Sequence, residues 1–154
     1  YIDADLVGSE SNSINMTGNI STSGTDAYGV YILTSNDNTT SITGNVATTG
    51  NSAYALILKN SDSNTTSLTG NITTTGDNAY GLYLASSNSN TTTLTGNIST
   101  TGNAAYGLLV IGSDSNTTTI TGDIITSGTG GNAEPILLEN SDSNTFIYQG
   151  LSIH

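Results

Sequence analysis

Gly18, Gly44, Gly70, Gly96 and Gly122 follow one another at intervals of 26 residues, and Gly150 comes 28 after the last. Each lies in a copy of one stretch, clearest from Asn64 to Ile72 and repeated at Asn38 to Val46, Asn90 to Ile98 and Asn116 to Ile124. Weaker copies run from Asn12 to Ile20 and from Asn144 to Ser152. A fixed period of this size marks a repeat architecture, in which each unit buries its apolar face against the next. The chain of 154 residues therefore reads as one domain of about six stacked coils. Their expected bounds are 12–37, 38–63, 64–89, 90–115, 116–143 and a partial coil at 144–154. Ile2, Ala4 and Leu6 precede Tyr28, Val30 and Ile32 by one period, so the opening residues belong to an earlier partial coil.

Within a coil the apolar period is two, which is the period of a strand. Leu68 and Ile72 share one face with Gly70 between them, while Thr65, Ser67 and Thr69 share the other. Thr40, Thr66, Thr92 and Thr118 fall on the inward face, and Ile14 and Phe146 replace them in the end coils. Their hydroxyls are expected to bond to one another or to backbone. A Thr-rich segment such as Thr73 to Thr75 leads to corner glycines at Gly24, Gly50, Gly76 and Gly102, where positive φ suits a tight turn. The last strand is Ala79 to Leu84 and its copies: Leu82 and Leu84 point inward, and Ala79, Gly81 and Tyr83 outward. Thr, Ser, Asn and Gly disfavour helix. The fold class is all-β, a parallel β-helix or β-solenoid, and the handedness of parallel crossovers favours a right-handed coil.

Two extra residues fall within Ser127 to Asn132, and Glu134 and Pro135 replace the Tyr-Gly pair. This segment reads either as a bulging corner or as a small binding loop.

The formal charge is −11, yet only 8% of residues are charged; Lys59 is the one lysine and there is no arginine. Such a surface cannot neutralise phosphates, which excludes nucleic-acid binding. It also lacks a basic face for anionic membranes and an apolar run long enough to insert in one. With no cysteine there is neither a disulfide framework nor a thiolate metal site.

Stacking turns each repeated position into a column. Asn12, Asn38, Asn64, Asn90, Asn116 and Asn144 make one, expected to bond side chain to side chain at a corner and to tolerate left-handed backbone. Glycosylation sequons occur at Asn15, Asn19, Asn38, Asn64, Asn71, Asn90, Asn97 and Asn116. Asp62, Asp114 and Asp142 share a column with Asn36 and Asn88, as solvated turn carboxylates or as oxygen ligands for calcium. No calcium-loop motif accompanies them, so no metal, cofactor or catalytic residue is assigned and the chain reads as non-enzymatic. His154 has no evident partner.

Tyr28, Tyr54, Tyr80 and Tyr106 form an aromatic ladder, a stabiliser or a sugar platform. Tyr31, Ile57, Tyr83, Leu109 and Leu137 form either an exposed stripe for lateral association or a column covered on both faces. The outward Thr and Ser of successive coils form a flat grid that resembles the Thr-x-Thr faces of β-solenoid antifreeze proteins.

The motif from Ile72 to Leu82, with copies at Ile20, Val46 and Ile98, resembles the repeats of bacterial autotransporter passengers and of large haemagglutinin-like adhesins. That resemblance implies a secreted β-helical stalk at the cell surface, with adhesion as its role, and carries over no catalytic residue. The expected function is thus an extracellular structural or adhesive solenoid, with a cell-surface or glycan partner and self-association, lateral or head-to-tail. Head-to-tail stacking follows from repeat arithmetic: the chain starts at repeat position 1 and stops about four residues short of a new coil. The alternative is an ice- or surface-binding solenoid that uses the Thr-x-Thr face.

Overall fold

The computed structural model describes residues 4–8, 10–128 and 133–154. Every described element is a strand, and every pairing between strands is parallel. β1 (Ala4–Val7) opens the chain. Five three-strand turns follow. They are β2 (Ser13–Thr17), β3 (Ile20–Thr22) and β4 (Val30–Leu33); then β5 (Thr39–Thr43), β6 (Val46–Thr48) and β7 (Leu56–Lys59). Next come β8 (Thr65–Thr69), β9 (Ile72–Thr74) and β10 (Leu82–Ala85), then β11 (Thr91–Thr95), β12 (Ile98–Thr100) and β13 (Leu108–Ile111). The fifth turn is β14 (Thr117–Thr121), β15 (Ile124–Thr126) and β16 (Ile136–Glu139), and β17 (Thr145–Tyr148) closes the series. The fold is a β-solenoid of about five turns, close to the six expected.

Each coil contributes one strand to each of three sheets, ordered β1-β4-β7-β10-β13-β16, β2-β5-β8-β11-β14-β17 and β3-β6-β9-β12-β15. Residues 26 apart pair directly, as in Leu82↔Leu56 and Thr91↔Thr65, so the sequence period is the structural rung. The extra residues near 129–132 lie outside the described residues, so the corner or loop expected there is not placed. By Leu108↔Ile136 the register has resumed, now offset by 28.

The core is a column of side chains along the axis: Ile20, Val30, Ile32, Ile42, Val46, Leu56, Leu58, Leu68, Ile72, Leu82, Leu84 and their later copies. Leu68 and Ile72 both point inward, as their phase predicts. They do not share one strand, however. The chain turns between β8 and β9 at Gly70, where φ is 148°. A Cβ there would overlap the carbonyl of Gly44 on the rung before. Glycine is required at this corner by φ and by contact together.

Two sequence expectations are corrected here. Among Gly24, Gly50, Gly76 and Gly102 only Gly24 has φ in the left-handed region. The other three are glycine because a Cβ would strike the glycine carbonyl one rung below. Gly81 points inward: a Cβ would meet Ile98 Cγ2, and its counterpart Ala55 is in the core. The strand starts at Leu82, and the bend before it breaks the alternation that phase-counting assumes.

Candidate functional site

The polar columns were the sequence's main candidates for chemistry, and each is a hydrogen-bonded ladder. In the Asn column, Oδ1 of Asn90 accepts the backbone N–H of Asn64 at 2.8 Å and its Nδ2 at 3.2 Å. The Asn64 Nδ2 also donates to the Ser35 carbonyl at 2.7 Å. The pattern repeats from Asn12 to Asn144. Asn38, Asn64, Asn90 and Asn116 are buried, so a low-dielectric site strengthens bonds that would be costly to leave unmade. These asparagines do not themselves take left-handed backbone. The residue before each does, namely Asp37, Ser63, Ser89 and Ser115 at φ of 56–58°. Sequons at the four buried asparagines offer no free amide nitrogen in the folded chain. Those at Asn15, Asn19, Asn71 and Asn97 are exposed.

A second buried ladder, made of serines, has no counterpart in the sequence reading. Ser35, Ser61, Ser87 and Ser113 are 0% exposed. The Oγ of Ser61, Ser87 and Ser113 accepts the serine N–H of the rung before, and all four donate to the carbonyl two residues back, as Ser61 does to Lys59 at 2.8 Å. The available signal was their fixed place three residues before the Asn.

The Asp62 column is an outer ladder. The N–H of Asn88 donates to Asp62 Oδ1 at 2.6 Å, and that of Asp142 to Asp114 Oδ1 at 2.7 Å. Asn19, Asn45, Asn71 and Asn97 accept from the next rung in the same way. These carboxylates are therefore rung connectors. Among the described residues no group of three His, Cys, Asp or Glu is placed to hold a metal ion, and no pocket opens. His154 does have partners: its ring meets Ser152 Oγ, and its backbone pairs with Ile124 and Thr126.

The inward threonines divide. Thr22, Thr48 and Thr74 donate to the carbonyls of Ala27, Ala53 and Ala79 at 2.7, 2.7 and 3.1 Å. Thr40, Thr66 and Thr92 are buried with no partner for Oγ1, and so is Thr100. The expected bonds between column neighbours are not made. Equivalent atoms on adjacent rungs lie ~4.8 Å apart, beyond the ~2.8 Å of a hydroxyl hydrogen bond.

The tyrosine ladder is present. Ring centroids are 5.3 Å apart for Tyr28–Tyr54, 4.7 Å for Tyr54–Tyr80 and 5.3 Å for Tyr80–Tyr106. Tyr28, Tyr54 and Tyr80 stack face to face, so their faces are turned to each other and not to a sugar. Their edges pack on Tyr31 and Tyr83. That covers the outer side of the first sheet: Ile57 is 2% exposed and Leu109 3%. Of the two readings of that column, the covered one holds. Burial raises the Tyr54 phenol well above its ordinary range, with the neighbouring Tyr80 and Tyr28 hydroxyls adding to it. Tyr28, Tyr80 and Tyr83 are raised by burial too.

The remaining face is the outside of the β5-β8-β11-β14 sheet. Its outward positions are Thr39, Ser41 and Thr43; Thr65, Ser67 and Thr69; Thr91, Thr93 and Thr95; Thr117, Thr119 and Thr121. All twelve carry hydroxyls and none is charged. Repeats are ~6.7 Å along a strand and ~4.8 Å between strands. Comparison with family models, with curated proteins and with solved structures gives no match.

Proposed function

We propose that this chain is a non-enzymatic structural or adhesive rod that works outside the cell, at a cell surface. One observation carries the reading: the repeated Asn, Ser and Asp side chains are committed to rung-to-rung bonding. They are parts of a stiff scaffold, and they do not converge on a point where a substrate could sit. A flank of Thr, Ser and Asn stays solvated with little charge, as suits a secreted stalk, and the passenger-like repeat supports the same location. Electron microscopy of the purified chain should show short rods, and glycan or cell-binding assays should find retention without turnover. Release of reducing ends from a polysaccharide would sink the reading.

A second reading rests on the hydroxyl grid. An uncharged lattice of hydroxyls in strict register suits contact with an ordered surface such as ice. Thermal hysteresis that disappears when Thr93 is replaced by Tyr supports it, and no hysteresis in the parent chain rules it out.

A further inference from the structure

The fold sorts the sequons into a buried set and an outer set, and, given the rod reading above, we infer that the outer set at Asn19, Asn71 and Asn97 accepts an N-linked sugar on the folded chain. At Asn38, Asn64, Asn90 and Asn116 the carboxamide is buried and its Nδ2 is in use. That of Asn64 donates to the Ser35 carbonyl, that of Asn90 to Ser61 and that of Asn116 to Ser87, at 2.7, 2.8 and 2.8 Å. That of Asn38 donates to Asn64 Oδ1 at 3.1 Å. A sugar there would replace one of the amide protons and force a bulky polar group into the interior. The outer set reverses the arrangement. Asn71 is exposed, and its Oδ1 accepts the Asn97 N–H at 2.9 Å. Asn19 and Asn97 are exposed too, and accept in the same way from Asn45 and Asp123 at 2.9 and 2.8 Å. Among the described residues nothing engages the Nδ2 of these three. The rung bond therefore pins the oxygen of each carboxamide and leaves the nitrogen free.

The hydroxyl of the signal is in place as well. Ile72 is in the core, so Thr73, two residues past Asn71, stands on the exposed side with it. Ser21 and Ser99 hold that position after Asn19 and Asn97. Ala47 holds it after Asn45, which is exposed and makes the same ladder bond, to the Asn71 N–H at 2.8 Å. Asn45 is thus a built-in control: the same corner and the same carboxamide, without the hydroxyl. Asn15, exposed mid-strand on β2, joins the outer set without a ladder bond. Transfer from a nucleotide-activated hexose forms a bond from Nδ2 to the anomeric carbon and breaks that carbon's bond to the diphosphate. The nucleoside diphosphate leaves, and one Nδ2 proton passes to a base of the transferase. Oδ1 is untouched, so the rung bond survives. On an unfolded chain Asn64 would react as readily as Asn71 and the inner ladder would be blocked, so folding precedes transfer. The sugars then line the corner between the β2-β5-β8-β11-β14-β17 and β3-β6-β9-β12-β15 sheets.

The test compares the folded chain with a peptide of residues 60–76, which holds Asn64 and Asn71 without the fold. Each is incubated with UDP-glucose and a soluble sequon-directed N-glucosyltransferase, and peptide mapping by mass spectrometry follows the hexose. The peptide should be labelled at both asparagines at similar rates. The folded chain should be labelled at Asn71 at least tenfold faster than at Asn64. Thr73→Ala should abolish labelling at Asn71, and Ala47→Thr should add it at Asn45. Thr and Ala already alternate in that column, so both variants should keep the parent's urea midpoint. Chain recovered from its own source should carry hexose at one or more outer sequons and at none of the buried four. Three results would each overturn the inference. They are equal labelling of Asn64 and Asn71 in the folded chain, no labelling of the folded chain by an enzyme that labels the peptide, and native chain bare at every outer sequon. None of them touches the rod reading, which falls instead with turnover of a polysaccharide.

Discussion

Replacing Thr66 with Val should make the protein more stable, against the usual direction of a core substitution. The Thr66 hydroxyl is buried beyond solvent contact and has no hydrogen-bond partner. Burying an unpaired hydroxyl costs about 1–3 kcal/mol in proteins. Valine has the same shape, puts a methyl where the hydroxyl was, and suits a strand at least as well. Apolar residues already fill this column at Ile14 and Phe146, so the site accepts them. Partial relaxation around the hydroxyl reduces the gain, which we set at about 1–2 kcal/mol. For a chain of this size that is a rise in midpoint of roughly 2–4 °C per kcal/mol. Thr93→Val is the control, because its hydroxyl lies on the outward face and its change should stay within about 0.5 kcal/mol. Urea titration followed by far-UV circular dichroism measures both, with the slope checked because solenoids can unfold in parts. A Thr66→Val protein that is less stable than its parent refutes the reasoning. It would mean that the hydroxyl holds a partner, such as a trapped water.

Further outcomes are expected. Asn90→Ala strands the N–H of Asn64 and the Ser61 carbonyl and removes one acceptor of the Asn64 Nδ2, and should cost about 2–4 kcal/mol. Asn97→Ala in the exposed ladder should cost under about 1 kcal/mol by the same denaturant assay. Gly70→Ala should destabilise by about 2–3 kcal/mol through overlap with the Gly44 carbonyl. At Gly18 nothing faces the new Cβ, so Gly18→Ala isolates the cost of φ at 135°. Burial favours the neutral phenols of Tyr28, Tyr54, Tyr80 and Tyr83. Their contribution is therefore complete below the unfolded value of about 10 and is lost as pH rises through the raised folded values. Urea midpoints should hold to about pH 9 and then fall, together with late, cooperative phenolate absorbance; a flat profile would contradict the packing.

The 26-residue period, the all-β class and the inward Leu and Ile positions were legible in the residues alone. So were the Asn ladder and the tyrosine stack. All depend on identity and phase within one coil, which repetition displays five times over. Stacking decided the rest. Ser61 and Ser63 are the same residue in the same turn, yet one is buried in a ladder and the other is exposed at φ of 58°. Only the rung above and below distinguishes them. Gly76 is glycine because Gly50, 26 residues earlier, puts its carbonyl against it, a contact that no local rule contains. Thr66 and Thr74 both face inward, but a corner carbonyl is within reach of Thr74 alone. Sequence thus determined which faces turn inward, because alternation along a strand is a local property. Tertiary structure determined which polar atoms find partners, because in a solenoid those partners sit one full coil away.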